Sequence, residues 1–393
     1  MKIGMILDNV YPPDPRVENE ALELLKEGHE VYLFCLGYGT FVAEEVHKGI
    51  QVRRYSSNVL EYKLSALAYT LPLYTWLLAR KIKVFVKETG VSALHIHDMR
   101  VAEAAFLANK RTALPTVLDL HENRPEIMRF YPHLQKWYGK LLISINRWKR
   151  KEEEFVRLAT NTIVVTEEAK EELVSRTGVP AERVKVVPNT VRRAFFEDEQ
   201  QVEIAHVKGT DEFTVLYLGD TGKRRGLLTV VEALARIQRT HPDIHLVIVG
   251  KTSAYLEKRI AELKLSNSIS LMGWQLDTCF PSYIKMADVC ISPLHRNIHH
   301  DTTYANKVFQ YMSMGKPVLV SDAIAQERIV KMAGGGLIHR AEDVGDFTDK
   351  LLTLYREKSL RKELGSSGKS FVKEQFTWDK TSEELKNIYR ELA

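Results

Sequence analysis

Short runs of β-branched and aliphatic residues alternate along the chain with longer segments whose apolar residues recur at helical spacing. In the first half, Lys2–Asp8, Glu30–Cys35, Val52–Tyr55, Ala93–Ile96, Thr116–Asp119, Thr162–Val165 and Val184–Val187 read as strands. In the second half the strands are Thr214–Leu218, His245–Val249, Ser270–Met272, Val289–Ser292, Pro317–Val320 and Gly336–Ile338. Several are unbroken runs of Val, Ile and Leu, as expected for parallel strands covered on both faces. Helical segments between them imply βαβ units and doubly wound α/β sheets. The pattern restarts after the polar stretch Arg192–Gly209, which reads as a linker. Its acids Glu197, Asp198 and Glu199 have no strand end to fix them, so they read as solvated rather than metal-binding. The expected division is 1–195 for one Rossmann-like lobe and 196–375 for a second, with 376–393 as a terminal segment. Open α/β sheets bind ligands beyond the carboxyl ends of their strands, and two facing sheets would enclose a central cleft. Candidate chemistry is therefore sought just after each strand.

A length of 393 residues fits two domains. The composition, 45% hydrophobic and 27% charged, is that of a globular protein. The net charge of +5 lies wholly in residues 1–195, and residues 60–151 carry 16 basic against 7 acidic side chains. Such a field favours an anionic partner, either phosphate-bearing lipid or nucleic acid, or else is a solvated face. Cys35, Cys279 and Cys290 show no CxxC or zinc spacing, and read as free thiols in a reducing compartment. Met1–Leu7 is a strand rather than a signal peptide, so a cytoplasmic location is expected. The uncharged stretch Leu64–Ala79 is shorter than the ~20 residues of a spanning helix and contains Pro72, so it is not read as a membrane span.

Four segments carry candidate chemistry. In Tyr217–Gly226, YLGDTGKRRG, a strand ends at Gly219, a basic loop follows, and a helix starts near Gly226. Lys223, Arg224 and Arg225 beside a helix start suit a diphosphate, although a basic surface turn has the same pattern. The loop is not a Walker loop, since no Gly-Lys-Ser/Thr follows. In Asp301–Gly315, Val308, Tyr311 and Met312 should face the core, whereas Asn306, Lys307 and Gln310 can point toward a ligand. The helix start near Thr303, Tyr304 and Ala305 offers a second set of amides, and Gln310 can bond ribose hydroxyls; an amphipathic helix with a polar face is the plainer reading. Asp119, His121 and Glu122 follow a strand end, and His95, His97 and Asp98 follow the preceding one, placed for acid/base or substrate contact or for simple packing. In DNVYPPDPR, three prolines stiffen a loop before Arg16, which either holds an anionic acceptor or forms a salt bridge that fixes the loop.

Aromatic and basic residues also occur together. Leu64–Ala79 carries Tyr69, Tyr74 and Trp76, followed by Arg80, Lys81 and Lys83. A second group comprises Lys136, Trp137, Tyr138, Lys140, Arg147, Trp148, Lys149, Arg150 and Lys151. The mixture suits a lipid headgroup surface, with core packing under a solvated rim as the alternative. No nucleic-acid module is present, so nucleic acid is not the expected anion.

Eight segments, in order, resemble the family 4 retaining glycosyltransferases of GT-B fold. They are DPRVENEALELLKEGHEV (14–31), ALHIHD (93–98), VLDLHENRPE (117–126), VVTEEAKEEL (164–173), VKVVPNTV (184–191), LYLGDTGKRRGLLTVVEAL (216–234), ANKVFQYMSMGKPVLVSD (305–322) and FTWDK (376–380). The resemblance implies an acceptor-binding first lobe, a nucleotide-sugar-binding second lobe and a C-terminal helix that returns to the first. It implies that His121 contacts the donor sugar near the reaction centre and that Arg225 and Lys307 hold the diphosphate. Gly219, Lys223, Arg224, Thr302, Thr303, Tyr304, Ala305, Asn306 and Gln310 would complete the donor site, with base readout by the loops holding Gly250, Lys251 and Trp274. Arg16, His97, Asp98 and Glu122 would face the acceptor. The chain departs from the family at three places. The usual Gly-Arg reads Gly219-Asp220, and two glutamates eight positions apart are replaced by Thr302 and Gln310. Asp301 is the nearest carboxylate to stand in at Thr302, and Lys223 or Arg224 for the missing arginine.

The implied reaction moves a sugar from a nucleoside diphosphate to an acceptor hydroxyl with retention, without cofactor or metal. A glycan or lipid-linked acceptor at the inner membrane surface would suit the basic first lobe. The alternatives are a non-catalytic nucleotide- or glycan-binding subunit, favoured by Thr302 and Gln310, and a GT-B-type sugar-nucleotide epimerase. A dinucleotide dehydrogenase is set aside, since no GxGxxG follows the first strand.

Overall fold

A computed structural model describes residues 1–131, 134, 136–197, 202, 204 and 213–393. The chain divides into two compact units, Met1–Pro188 with Ser382–Ala393, and Asn189–Thr381. The division falls at 188/189 and 381/382 rather than at 195 and 375. Part of the reason is a β-bridge between Val191 and Thr377, with Trp378 N donating to Val191 O, which holds both ends of the second unit together. Of the expected linker, Asp198 and Glu199 lie outside the described residues, whereas Ala194–Glu197 is a short helix.

The first unit contains an eight-stranded sheet. Its strands are β1 (Lys2–Ile6), β2 (Glu30–Tyr38), β3 (Glu44–His47), β4 (Ile50–Ser57), β5 (Ala93–His97), β6 (Thr116–Asp119), β7 (Asn161–Val164) and β8 (Val184–Val186). The order is β3-β4-β2-β1-β5-β6-β7-β8, all parallel except the edge pair β3–β4. Helix Pro15–Lys26 begins where Asp14 accepts from Val17 N, and proline at N1 lacks a donor that would otherwise go unpaired there. Helix Leu73–Thr89 buries Tyr74, Leu78, Ile82, Phe85 and Val86 in the core, leaving Leu73, Trp76 and Val84 outside. The closing helix Glu383–Leu392 rejoins this unit through buried Leu385, Ile388 and Tyr389.

The second unit contains β9 (Phe213–Leu218), β10 (Ile244–Val249), β11 (Ile269–Leu271), β12 (Val289–Ser292), β13 (Val318–Ser321) and β14 (Gly336–His339), parallel in the order β11-β10-β9-β12-β13-β14. Alternation along β9 splits its side chains between two cores: Val215 and Tyr217 enter one, Leu216 and Leu218 the other. Each fully buried aliphatic side chain contributes roughly 1.5–3 kcal/mol. In both sheets the order reverses at the first strand of the unit, next to β5 in one and β12 in the other, and such switch points are where ligands bind.

The expected strands are all present. The short β3 was not expected, because an edge segment reading EEVH has no apolar run. Among the described residues no helix is long and apolar enough to cross a membrane. Tyr69, Tyr74 and Trp148 are core residues rather than surface aromatics, with Tyr69 and Trp148 meeting edge to face at 4.6 Å. Trp76 and Trp137 are exposed, at 63% and 77%.

Candidate functional site

At the carboxyl ends of β5 and β6 lies a buried ionic cluster. Asp119, fully buried, receives the Arg16 fork through Nε at 2.9 Å and Nη2 at 2.6 Å. Arg16 Nη2 also lies 3.0 Å from Glu20, one helical turn on, and Nη1 donates to Val187 O. His95 stands 3.1 Å from Glu20 on one side and 2.9 Å from the Tyr389 hydroxyl on the other. His121 Nε2 lies 2.7 Å from Asp119 Oδ2 and 3.2 Å from His97 Nδ1.

Burial would raise the Asp119 pKa, but Arg16 and His121 outweigh it and hold the carboxyl well below its usual range. Burial opposes charge on His95, yet hydrogen bonds to Asp119 and Glu20 push it up to about 9. His97 is lowered by burial and by the positive His95 beside it. For His121, the Asp119 charge and hydrogen bond overcome burial and raise the pKa. His121 thus keeps its proton to a higher pH than an ordinary histidine, at the surface end of the cluster, 23% exposed.

Glu20, His95, His97 and Asp119 bring ligand atoms within 4.8 Å of one another, the reach of a metal site. Arg16 already lies against both carboxylates, so the cluster holds its own cation. Three expected acceptor contacts are thereby corrected. Arg16 is 5% exposed with its fork committed to Asp119, so it is the salt bridge and not an anion holder. His97 is 1% exposed, packed within the cluster. Asp98, at φ +72, caps helix Met99–Asn109 and pairs with Arg124, so its carboxylate is internally satisfied. Glu122 is half-buried near that arginine, 3.8 Å away.

In the second unit, the loop after β9 sits at the sheet's switch point. Gly219 ends the strand, Lys223–Arg225 form a 3-10 turn, and Gly226 (φ +77) opens helix Leu227–Ile237 without a side-chain cap. A Cβ on Gly226 would lie 1.6 Å from Pro293 O, so only glycine lets the turn approach the loop after β12. That loop braces the turn: His295 N donates to Arg224 O, and His300 Nε2 lies 3.4 Å from Arg224 Nη1. His300 Nδ1 donates to His295 O, so Nε2 is the free acceptor; burial pushes this imidazole down to about 3 and keeps it neutral. Gly250, at φ +139, lets the loop after β10 touch Gly219, where a Cβ would fall 2.1 Å from Gly219 O.

Lys307, on the first turn of helix Asn306–Ser313, places Nζ 3.8 Å from the centre of the Tyr217 ring. Burial and the charge of Arg225 hold its pKa well below the usual lysine value. Arg225 pairs with Asp220 through Nε at 2.9 Å and Nη2 at 2.8 Å. Lys223 is exposed, 6.0 Å from the Tyr255 ring. Helix Asn306–Ser313 also begins without a side-chain cap after Ala305, and the nearby Thr303 hydroxyl is buried with no hydrogen-bond partner. Asn306 is exposed, and Tyr304 and Gln310 are half-buried, with Tyr304 edge-on to Phe309. Lys251 and Trp274 are exposed on neighbouring loops, joined where Gly250 N donates to Gly273 O.

The expected donor contact Thr302 and the stand-in carboxylate Asp301 are corrected. Thr302 is 7% exposed and its hydroxyl donates to Ile298 O at 2.7 Å, an internal helix-end bond. Asp301 is taken by Arg296 at 2.7 Å and by Ile324 N at 3.1 Å. Sequence reasoning missed the partners Glu20, Tyr389, His300 and Tyr217. Only the Arg16–Glu20 spacing of one turn carried a local signal.

Two family descriptions match the chain, Glycosyltransferase Family 4 over residues 16–195 and Glycosyl transferases group 1 over residues 198–371. An alpha-D-kanosaminyltransferase of Streptomyces kanamyceticus is 23% identical over 81% of this chain and 81% of that protein. A phosphatidyl-myo-inositol mannosyltransferase of Mycolicibacterium smegmatis is 22% identical over 80% of this chain and 75% of that protein. In fold, the chain resembles Anabaena HepE, solved in complex with UDP-glucose, at a TM-score of 0.73 and 14% identity over the whole of both chains. The chain belongs to the family 4 glycosyltransferases and has their GT-B fold.

Proposed function

We propose that the enzyme transfers a sugar, with retention at the anomeric carbon, from a nucleoside-diphosphate-sugar to the hydroxyl of a glycan or lipid-linked acceptor. The observation that carries this is the concentration of Lys223, Arg224, Arg225 and Lys307 around two uncapped helix starts at the switch point of the second sheet, with Asp220 paired to Arg225. Cations and exposed amides placed where a leaving diphosphate gathers charge stabilise the transition state electrostatically. In this reading the side chains supply the positive charge that a metal would otherwise bring. Lys307, desolvated beside Arg225, gains most from an arriving anion. His121, paired with Asp119, is assigned to the donor sugar at the reaction centre. Gln310 is assigned to the ribose, and Gly250, Lys251 and Trp274 to the base side.

The HepE complex holds a nucleotide sugar, and the mycobacterial relative is named for a phospholipid acceptor. Both support a donor of this class and an acceptor presented at a lipid surface. The first unit offers a matching face: Leu73, Trp76 and Val84 are exposed on one helix together with Arg80 and Lys83. In this reading the enzyme works peripherally on the cytoplasmic side of a membrane. Incubation with radiolabelled UDP- and GDP-sugars and a lipid extract tests the reading. Slow donor hydrolysis or transfer to one acceptor is expected. Binding without turnover, or an isomerised sugar as the sole product, would overturn it.

A further inference from the structure

Asp220 follows the end of β9 and is a lone carboxylate in a loop that carries Lys223, Arg224 and Arg225. Its geometry gives it a defined task. One oxygen, Oδ2, takes both the Nε and Nη2 of Arg225, at 2.9 and 2.8 Å. The other, Oδ1, accepts from Gly222 N at 3.0 Å. Its backbone carbonyl accepts from the Tyr217 hydroxyl at 2.7 Å, and the Tyr217 ring lies under Lys307 Nζ. The carboxylate is 52% exposed, so it sits at the mouth of the loop and not in the core. Burial would raise its pKa, but Arg225 first, then Gly222 N and Lys307, hold it below the usual carboxylate range.

A carboxylate that grips a guanidinium from the side while accepting a loop amide mimics a phosphate oxygen at a helix start. We propose that Asp220 is a resident stand-in for the donor's diphosphate. It keeps Arg225 oriented in the empty enzyme and is exchanged for phosphate oxygens when the nucleotide arrives. This rests on the diphosphate site proposed above. The exchange has two consequences. The incoming diphosphate must take Arg225 from its partner, and it must lie beside a like charge. Asp220 therefore weakens nucleotide binding, and it weakens binding of the product diphosphate too, which favours its release.

Asp220→Asn tests this, since asparagine keeps the Oδ1 acceptor for Gly222 N and replaces the charged Oδ2 that holds Arg225 with a neutral amide donor, which frees the guanidinium. Calorimetric titration with UDP, GDP, uridine and guanosine would be run on the full chain as wild type, Asp220→Asn and Arg225→Ala. Asp220→Asn is expected to bind the preferred nucleoside diphosphate about five- to tenfold tighter, with a steeper loss of affinity as salt rises. Its binding of the uncharged nucleoside should be unchanged, and its melting temperature without ligand should stay near that of the wild type. Equal or weaker diphosphate binding by Asp220→Asn, with wild type binding and Arg225→Ala weakened, would overturn the stand-in role alone. Failure of wild type and Asp220→Asn alike to bind either diphosphate would overturn the phosphate site itself. A gain that appears equally with the free nucleoside would also refute the stand-in role, because it could not come from charge.

Discussion

Asp119→Asn should be the most damaging single-charge change in the first unit. Asp119 is fully buried and answers both donors of the Arg16 fork, at 2.9 and 2.6 Å, and His121 at 2.7 Å. Asparagine fills the same space but leaves Arg16 with Glu20 and the Val187 carbonyl, and takes from His95 one of the two carboxylates that raise its pKa. Removing one partner of a buried ion pair costs about 3–5 kcal/mol, because the remaining charge stays desolvated. The first unit has about 200 residues, from Met1–Pro188 and Ser382–Ala393. At that size each kcal/mol moves the midpoint by roughly 2–4 °C, so the calorimetric transition should fall by about 6–20 °C. A second readout separates charge from packing. His121 is raised above the ordinary histidine value, so its contribution to stability is present below about 6.5 and fades as pH rises through its folded pKa. Without Asp119, burial alone should drop the His121 titration below about 6.5, visible by NMR of the ring. A transition within about 2 °C of wild type and an unmoved His121 titration would refute the idea that Asp119 holds the cluster.

Four further outcomes follow from other residues. His95, pushed up to about 9, lends stability that is full below about 6.5 and lost as pH climbs through about 9, so wild-type melting should fall over that window and His95→Gln should flatten the slope. Melting curves across pH check it, and parallel slopes would count against the buried charge. Gly226→Ala should destabilise the second unit by more than about 2 kcal/mol in urea titration, because its Cβ would fall 1.6 Å from Pro293 O at φ +77. Gly28→Ala, at φ +83 with open space around it, should lose only about 1 kcal/mol. Trp76→Ser with Arg80→Glu and Lys83→Glu should weaken sedimentation with phosphatidylserine vesicles at least about tenfold, each basic residue being worth about 1 kcal/mol at an anionic surface; unchanged sedimentation would dismiss that face as the lipid contact.

The doubly wound sheets were legible because their strands are nearly continuous Val, Ile and Leu runs, and β9 and β10 show it clearly. The basic loop after β9 was legible because glycine, positive charge and a helix start coincide within ten residues. The ionic cluster was not. Arg16 meets Asp119 across 103 positions, and His95 meets Tyr389 across 294, so no local pattern announces either pair. For the same reason Arg16, His97 and Asp98 looked like acceptor contacts: a charged residue after a strand reads alike whether it faces a ligand or a buried partner. The aromatic-basic segments were half legible. Spacing separates Tyr74 from Trp76 by helical face, but only packing shows that Tyr69 and Trp148 face each other in the core.

Titration calorimetry of UDP and GDP against wild type and Arg225→Ala examines the donor site without needing an acceptor. One of the two nucleotides should bind the wild type, and Arg225→Ala should bind it at least about tenfold more weakly, as befits the loss of a charge-assisted, two-pronged contact. Equal affinity of the two proteins for that nucleotide would mean that the loop after β9 does not hold the diphosphate.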